Sequence, residues 1–212
     1  MGNNKLIRTI TTEDTGIRLI DLKMGKPRRK ALDMEILNGT KSFRDAVREM
    51  WSTVDYPTFE EAIEIVDDIQ FDPFFKEFYQ WVQEKKYPMT VLSSGLVPLL
   101  EHFFKRELKE YDLELVANGL KIHPSHWEII YLDDSHYGHD KGTRLREYKK
   151  LGTSHKIVFI GDGVSDMPAA REAHLIFARK GYDLETYCKR ENIPYHGWTT
   201  FKDIMEILHS LE

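Results

Sequence analysis

Apolar positions recur at helical spacing through the first third of the chain and then gather into short runs. Phe59, Ala62, Ile63, Val66 and Ile69 share one face at a period near 3.6 residues. After Asp72-Pro73, a capping residue followed by a proline suited to the first helical position, Phe74, Phe75, Phe78, Trp81 and Val82 do the same. Residues 14–86 are therefore expected to form consecutive amphipathic helices, with Asp14 capping the first. Past Pro88 the period shortens. Residues 89–92, 113–117, 157–160 and 175–178 read as strands, alternating with helices over 97–108 and near 144–150. Such alternation predicts an α/β fold: a doubly wound parallel sheet with helices on both faces over 87–212, an inserted helical cap over 14–86, and a residual first core strand and loop over 1–13.

Composition narrows the function classes. With 41% hydrophobic and 31% charged residues among 212, the chain is expected to bury one substantial core plus a smaller appendage. Acidic residues outnumber basic ones by 35 to 30, and the formal charge of −5 offers no general field for nucleic acid or a membrane surface, so a phosphate ligand would need a local cation. The single Cys188 cannot close an intramolecular disulfide, which fits a reducing compartment, and the cytoplasm is the expected location. The polar start is not a secretory signal, and Leu6 stands where a myristoylation signal that begins at Gly2 needs Ser or Thr. Arg28-Arg29-Lys30 reads as a solvated helix face.

The candidate chemistry lies at strand ends. In the stretch IVFIGDGVSDMPAA an apolar run breaks into Gly161-Asp162-Gly163 and then reaches Asp166, which brings two carboxylates to the C-terminal edge where open α/β sheets place their ligands. The glycines permit close approach, and hard oxygen donors of this kind suit Mg²⁺. Ser93-Ser94-Gly95 is expected where a strand hands over to a helix, so that the Ser93 hydroxyl and nearby backbone N–H groups form an anion seat. Lys141, after His139-Asp140, opens another helix, where a compact cation can neutralise a phosphoryl group. Each has a plainer reading taken alone: an Asp-Gly turn, a Ser-Gly turn, a solvated lysine. The pairs His123/His126 and His136/His139 also invite a zinc reading, although their spacing fits no structural zinc pattern, and the second pair suits the pocket entrance as well.

In chain order this set resembles the haloacid dehalogenase superfamily in its phosphoserine-phosphatase-like branch, especially the small fungal polyol-phosphate and sugar-phosphate phosphatases. The resemblance runs from about Thr9 to Ile207 through KSFRDAVREM, VLSSGL, GHDKG and IGDGVSDMPAA. It implies that Thr9, Ser93, Ser94 and Gly95 bind phosphate, that Lys141 binds phosphate and serves catalysis, that Asp162 holds Mg²⁺, and that Asp166 supports Lys141 and the attacking water. It further implies a small phosphorylated metabolite as partner, and a cap in which Phe43, Arg44 and Trp51 line the pocket. In that family two aspartates at the end of the first strand act as nucleophile and acid/base.

Here TITTEDTG aligns with the residues that follow those acids, which puts Lys5 at the nucleophile, Ile7 at the acid/base and Arg8 at the glycine. Both carboxylates are missing, and the strand before them is reduced to Gly2-Asn3-Asn4, whereas a central parallel strand should be apolar. Two explanations stay open: this start replaces the natural start of an active phosphatase, or the chain is a catalytically silent relative that keeps a phosphate seat for binding or regulation.

Overall fold

The computed structural model describes residues 9–150, 152 and 156–211, so Gly2, Asn3, Asn4, Lys5, Ile7 and Arg8 lie outside the described residues. Five helices come first: α1 (Thr15–Lys23), α2 (Lys26–Leu37), α3 (Phe43–Trp51), α4 (Phe59–Val66) and α5 (Phe75–Glu84). Local signals fix their starts. The carboxylate of Asp14 accepts the N–H of Ile17, and the hydroxyls of Ser42 and Thr58 accept the third N–H of α3 and α4. Helices α1 to α4 pack on one another, and α3 lies on a strand of the core. The fifth helix differs: Phe75 meets Phe201 edge-on and Phe78 meets it tilted, each with ring centres 4.9 Å apart, and Phe75 sits edge-on to Phe104. The aromatic face of α5 thus packs on the core helices α6 and α10.

The core continues as β1 (Thr90–Leu96), α6 (Val97–Leu108), β2 (Glu114–His123), β3 (His126–Ile130), α7 (Lys141–Lys150), β4 (Val158–Gly161), a 3₁₀ turn over Val164–Asp166, α8 (Met167–Ala170), β5 (Leu175–Arg179), α9 (Asp183–Arg190), β6 (His196–Trp198) and α10 (Phe201–Ser210). The four strands expected after Pro88 are present, and the residual first strand lies largely outside the described residues. Two more were not expected: β3, which folds back antiparallel on β2 across the turn Pro124-Ser125, and the three-residue β6. Among the described residues the sheet is split into two, β1-β2-β3 and β4-β5-β6, each with parallel pairing around the site. The larger apolar core joins the helical layer to β1 and α10, and a second cluster, including Leu145, Phe159, Ile176 and Leu184, fills the space beneath α7 to α9. Among the described residues no helix is long and apolar enough to cross a membrane.

One expectation is corrected. Arg29 is not part of a solvated face: it is 3% exposed, with Nη1 2.6 Å from Asp33 and Nε 2.5 Å from Asp21. Burial outweighs the attraction of Arg29 and pushes the Asp33 carboxyl up to about 6. Arg28 keeps the exposed role, paired with Glu35 and Glu49.

Candidate active site

Strand β4 ends at Gly161, and the chain turns so sharply there that a Cβ on Gly161 would lie 2.7 Å from Oδ2 of Asp166. Only glycine leaves room for that carboxylate to fold back, where Oδ2 accepts the N–H groups of Asp162 at 2.9 Å and Gly163 at 3.0 Å. The other oxygen, Oδ1, accepts Lys141 Nζ at 2.6 Å. Both partners are almost fully buried, so this is a charge-assisted bond in a low-dielectric setting. Lys141 is the first residue of α7, and Gly142 beside it lets the helix settle on Pro168, whose carbonyl would meet a Cβ at 2.7 Å.

Asp162 is wholly buried at the mouth of β4 and its Oδ1 accepts the Thr9 hydroxyl at 2.5 Å. The main chain of Asp162 is tied as well, since its carbonyl accepts the N–H of Leu184 at the start of α9.

The serine seat lies at the junction of β1 and α6, with one added feature. Ser93, Ser94 and Gly95 lie inside β1, where the register against β2 shifts between Leu92 and Leu96, and α6 begins only at Val97. The seat is thus a bulged strand end immediately before the start of α6. Gly95 N–H donates to Ser93 Oγ at 3.0 Å, which leaves the hydroxyl proton of Ser93 for another acceptor. Ser94 is buried and its Oγ has no hydrogen-bond partner.

Two side chains that spacing did not reveal hold this bulge. Asn118 Nδ2 donates to the Ser94 carbonyl at 2.9 Å while its Oδ1 accepts Leu132 N–H. His139, expected near the pocket entrance, is instead 4% exposed behind the seat, with Nδ1 2.9 Å from the Ser93 carbonyl. A carbonyl only accepts, so Nδ1 carries the proton, and Nε2 is buried without a partner. Protonating Nε2 would bury an uncompensated cation, and burial accordingly lowers the His139 pKa. Stability from this group is present above the ordinary imidazole value of about 6.5 and is lost as pH falls below it. The His139→Asn variant keeps a donor without the titration. Unfolding measured across pH 5 to 7.5 should give a shallower acid loss for it than for the parent, by at most about 1.4 kcal/mol per pH unit. Asp33, which gains stability as pH falls from about 6, is common to both proteins and cancels.

Thr9, Ser93, Ser94, Gly95, Lys141, Asp162 and Asp166, brought together from four separated stretches of chain, all line one cavity of about 1420 Å³. Phe43, Met50 and Trp51 of α3 supply part of its apolar wall. Arg44, expected beside them, pairs with Asp134 3.0 Å away. His123 and His126 stack across the β2–β3 turn and His123 pairs with Glu128; among the described residues no three His, Cys, Asp or Glu side chains form a cluster able to hold a metal.

Three carboxylates line the cavity among the described residues. Asp14 caps α1, Asp166 is bonded to Lys141 and two backbone N–H groups, and Asp162 accepts the Thr9 hydroxyl; each presents hard oxygen of the kind that suits Mg²⁺. One carboxylate completed by phosphate oxygens and water lies within the usual pattern for Mg²⁺.

A family model described as haloacid dehalogenase-like hydrolase matches residues 8–171. Over 211 residues the chain is 39% identical to Pdp3-interacting factor 1 of Schizosaccharomyces pombe, covering 96% of this chain and 92% of that one. It is also 39% identical over 211 residues to the polyol phosphate phosphatase PYP1 of Saccharomyces cerevisiae, covering 93% and 87%. A substrate-bound phosphoserine phosphatase structure superposes with a TM-score of 0.72 at 18% identity, over 98% of this chain and 99% of that one, a likeness of fold.

Proposed function

The chain belongs to the haloacid dehalogenase-like hydrolase family, and from that premise we propose that it is a phosphatase scaffold for small phosphorylated metabolites of the polyol, sugar or serine phosphate kind. The observation that carries this reading is the convergence of Ser93, Lys141 and Asp162 on one cavity. Lys141, oriented by Asp166, supplies positive charge to the phosphoryl oxygens, and the Ser93 hydroxyl donates its remaining proton to one of them. Asp162 would hold Mg²⁺, which when bound offsets the repulsion between a phosphate and an attacking anion. Thr9 orients Asp162 from below. Phe43, Met50 and Trp51 close the chamber over the leaving group and exclude water, as a cap over residues 14–86 would do for a core over 87–212. A reducing compartment such as the cytoplasm suits the one cysteine, Cys188, which is buried in α9.

In the family the nucleophile and the acid/base are the two aspartates whose positions here hold Lys5 and Ile7, outside the described residues. The phosphate seat is nevertheless assembled from described residues alone, which supports the second reading, a phosphate-binding or regulatory protein, as well as the first. Titration calorimetry of the chain with inorganic phosphate and Mg²⁺ tests the seat. Binding is expected, and Ser93→Ala should weaken it about tenfold by removing one hydrogen bond to a charged group. Absence of heat with phosphate and Mg²⁺ together would count against the assignment. Phosphate release from p-nitrophenyl phosphate and a panel of polyol and sugar phosphates then separates an active from a silent protein.

A further inference from the structure

Residues 131–140 join β3 to α7, and their first half grips the start of α3. The N–H of Arg44 donates to the His136 carbonyl at 2.9 Å and that of Phe43 to His136 Nε2 at 3.4 Å, while the Tyr131 hydroxyl donates to the Arg44 carbonyl at 2.8 Å. A helix cannot satisfy its own first N–H groups, so this loop completes the N-terminus of α3 beside the Ser42 cap. The Tyr131 ring is fixed by two neighbours. The guanidinium groups of Arg44 and Arg48 lie over it at 5.1 and 5.6 Å, and it packs on Gly138, where φ is 71° and a Cβ would lie 2.1 Å from the ring. The pair between Arg44 and Asp134 adds little, since Asp134 is 98% exposed. The other end of the loop enters the phosphate seat: it runs into His139, which holds the Ser93 carbonyl at 2.9 Å, and Lys141, bonded to Asp166 at 2.6 Å. Between the two ends the loop is cross-tied. The Asp133 carboxylate accepts the N–H groups of Ser135 at 3.0 Å and Asp140 at 2.7 Å, and the Asp133 N–H donates to the Gly138 carbonyl at 3.1 Å. A turn braced in this way passes a displacement from one end to the other instead of absorbing it.

We propose that this loop is a clasp, with Tyr131 and His136 as positioning residues, that couples phosphate binding at Ser93 and Lys141 to the seating of α3 over the cavity. Helix α3 brings Phe43, Val47, Met50 and Trp51 to the chamber. A phosphoryl group that fixes Ser93 and Lys141 therefore also fixes, through His139 and the braced turn, the wall that meets the rest of the substrate. Tyr131 and His136 stand outside the cavity lining, so their influence on phosphate passes through the loop. The coupling rests on the reading of Ser93 and Lys141 as a phosphate seat. It is reciprocal: as far as phosphate steadies α3, a steadied α3 strengthens phosphate binding.

Amide hydrogen exchange of α3 and calorimetric titration with inorganic phosphate, both in Mg²⁺, test the clasp on the whole chain. In the parent, phosphate is expected to slow exchange at the start of α3 at least about fivefold. Tyr131→Phe removes the hydroxyl donor, and His136→Ala removes Nε2 but keeps the carbonyl. Together they are expected to weaken phosphate binding about fivefold and to abolish the slowing of α3 by phosphate, while β1 keeps its own. His136→Gln in the Tyr131→Phe background offers an amide oxygen in place of Nε2 and is expected to restore part of both effects. A purely structural role raises exchange equally with and without phosphate and leaves the ratio of the two rates and the phosphate affinity at their parental values; that result overturns the clasp. Each single variant is measured beside the double one, so that a folding defect in the double leaves the ratio readable. Phosphate that binds the parent without slowing α3 overturns the clasp and leaves the seat, whereas a parent that binds no phosphate removes the seat and the clasp with it.

Discussion

Asp162→Ala is expected to abolish Mg²⁺-dependent phosphate binding, a loss of about 100-fold or more. The size follows from the carboxylate inventory of the cavity. Asp14 is held by the N–H of Ile17 and Asp166 by Lys141 and two backbone N–H groups, so no neighbour can take over the metal without abandoning a bond that the fold uses. Asp162→Asn separates charge from shape: it still accepts the Thr9 hydroxyl and should fold as the parent does, yet it lacks the anionic oxygen that Mg²⁺ requires. Calorimetry with phosphate in the presence and absence of Mg²⁺ checks both variants, and an unchanged Mg²⁺ response in either would remove Asp162 from the site.

A second large effect is expected at Lys141. The Lys141→Met substitution strips Asp166 of its cationic partner while leaving the carboxylate 4% exposed, and an uncompensated buried charge of this kind costs about 3–5 kcal/mol of stability. It also removes the cation of the phosphate seat. Adding Asp166→Asn should return most of the stability, because an amide oxygen can still accept the N–H groups of Asp162 and Gly163, but it should not return phosphate binding. Urea unfolding of the single and double variants, set beside phosphate titration, distinguishes a structural ion pair from a ligand-binding one. Loss of less than about 1 kcal/mol in the single variant would mean that the pair is far more solvated than its burial implies.

The parts of this site that sequence made legible were those carried by backbone geometry. A four-residue apolar run that ends in Gly161-Asp162-Gly163 has few folded solutions other than a buried strand presenting a carboxylate at its edge, and the structure places Asp162 there. Lys141 was readable through its position at a helix start and its order between Ser93 and Asp162. What escaped were buried polar residues that act on the main chain. Asn118 and His139 each hold one carbonyl of the β1 bulge, and a side chain that satisfies a single distant carbonyl leaves no period and no spacing to detect. Ser-Ser-Gly was read as the place where a strand hands over to a helix, but the register shift that bulges β1 there depends on its pairing with β2 and leaves no mark in the sequence.

The same reasoning explains the fold-level differences. Strand β3 mixes His126, Trp127 and Glu128 and gains its apolar partner only when Trp127 stacks on Trp51, a contact 76 residues apart in sequence. Arg29 stands in a basic run and looks solvated until α1 and α2 bring Asp21 and Asp33 around it. Helix α5 has the same helical spacing as its predecessors, and only the rings it meets, Phe104 and Phe201, separate it from them.

Crystals of the chain soaked in tungstate with Mg²⁺ test the central claim most directly, since the heavy anion is located without reference to any assumed role. A tetrahedral anion is expected within hydrogen-bond distance of Ser93 Oγ and Lys141 Nζ, with the cation on Asp162. An ordered anion bound elsewhere, with Ser93 and Lys141 untouched, would contradict it.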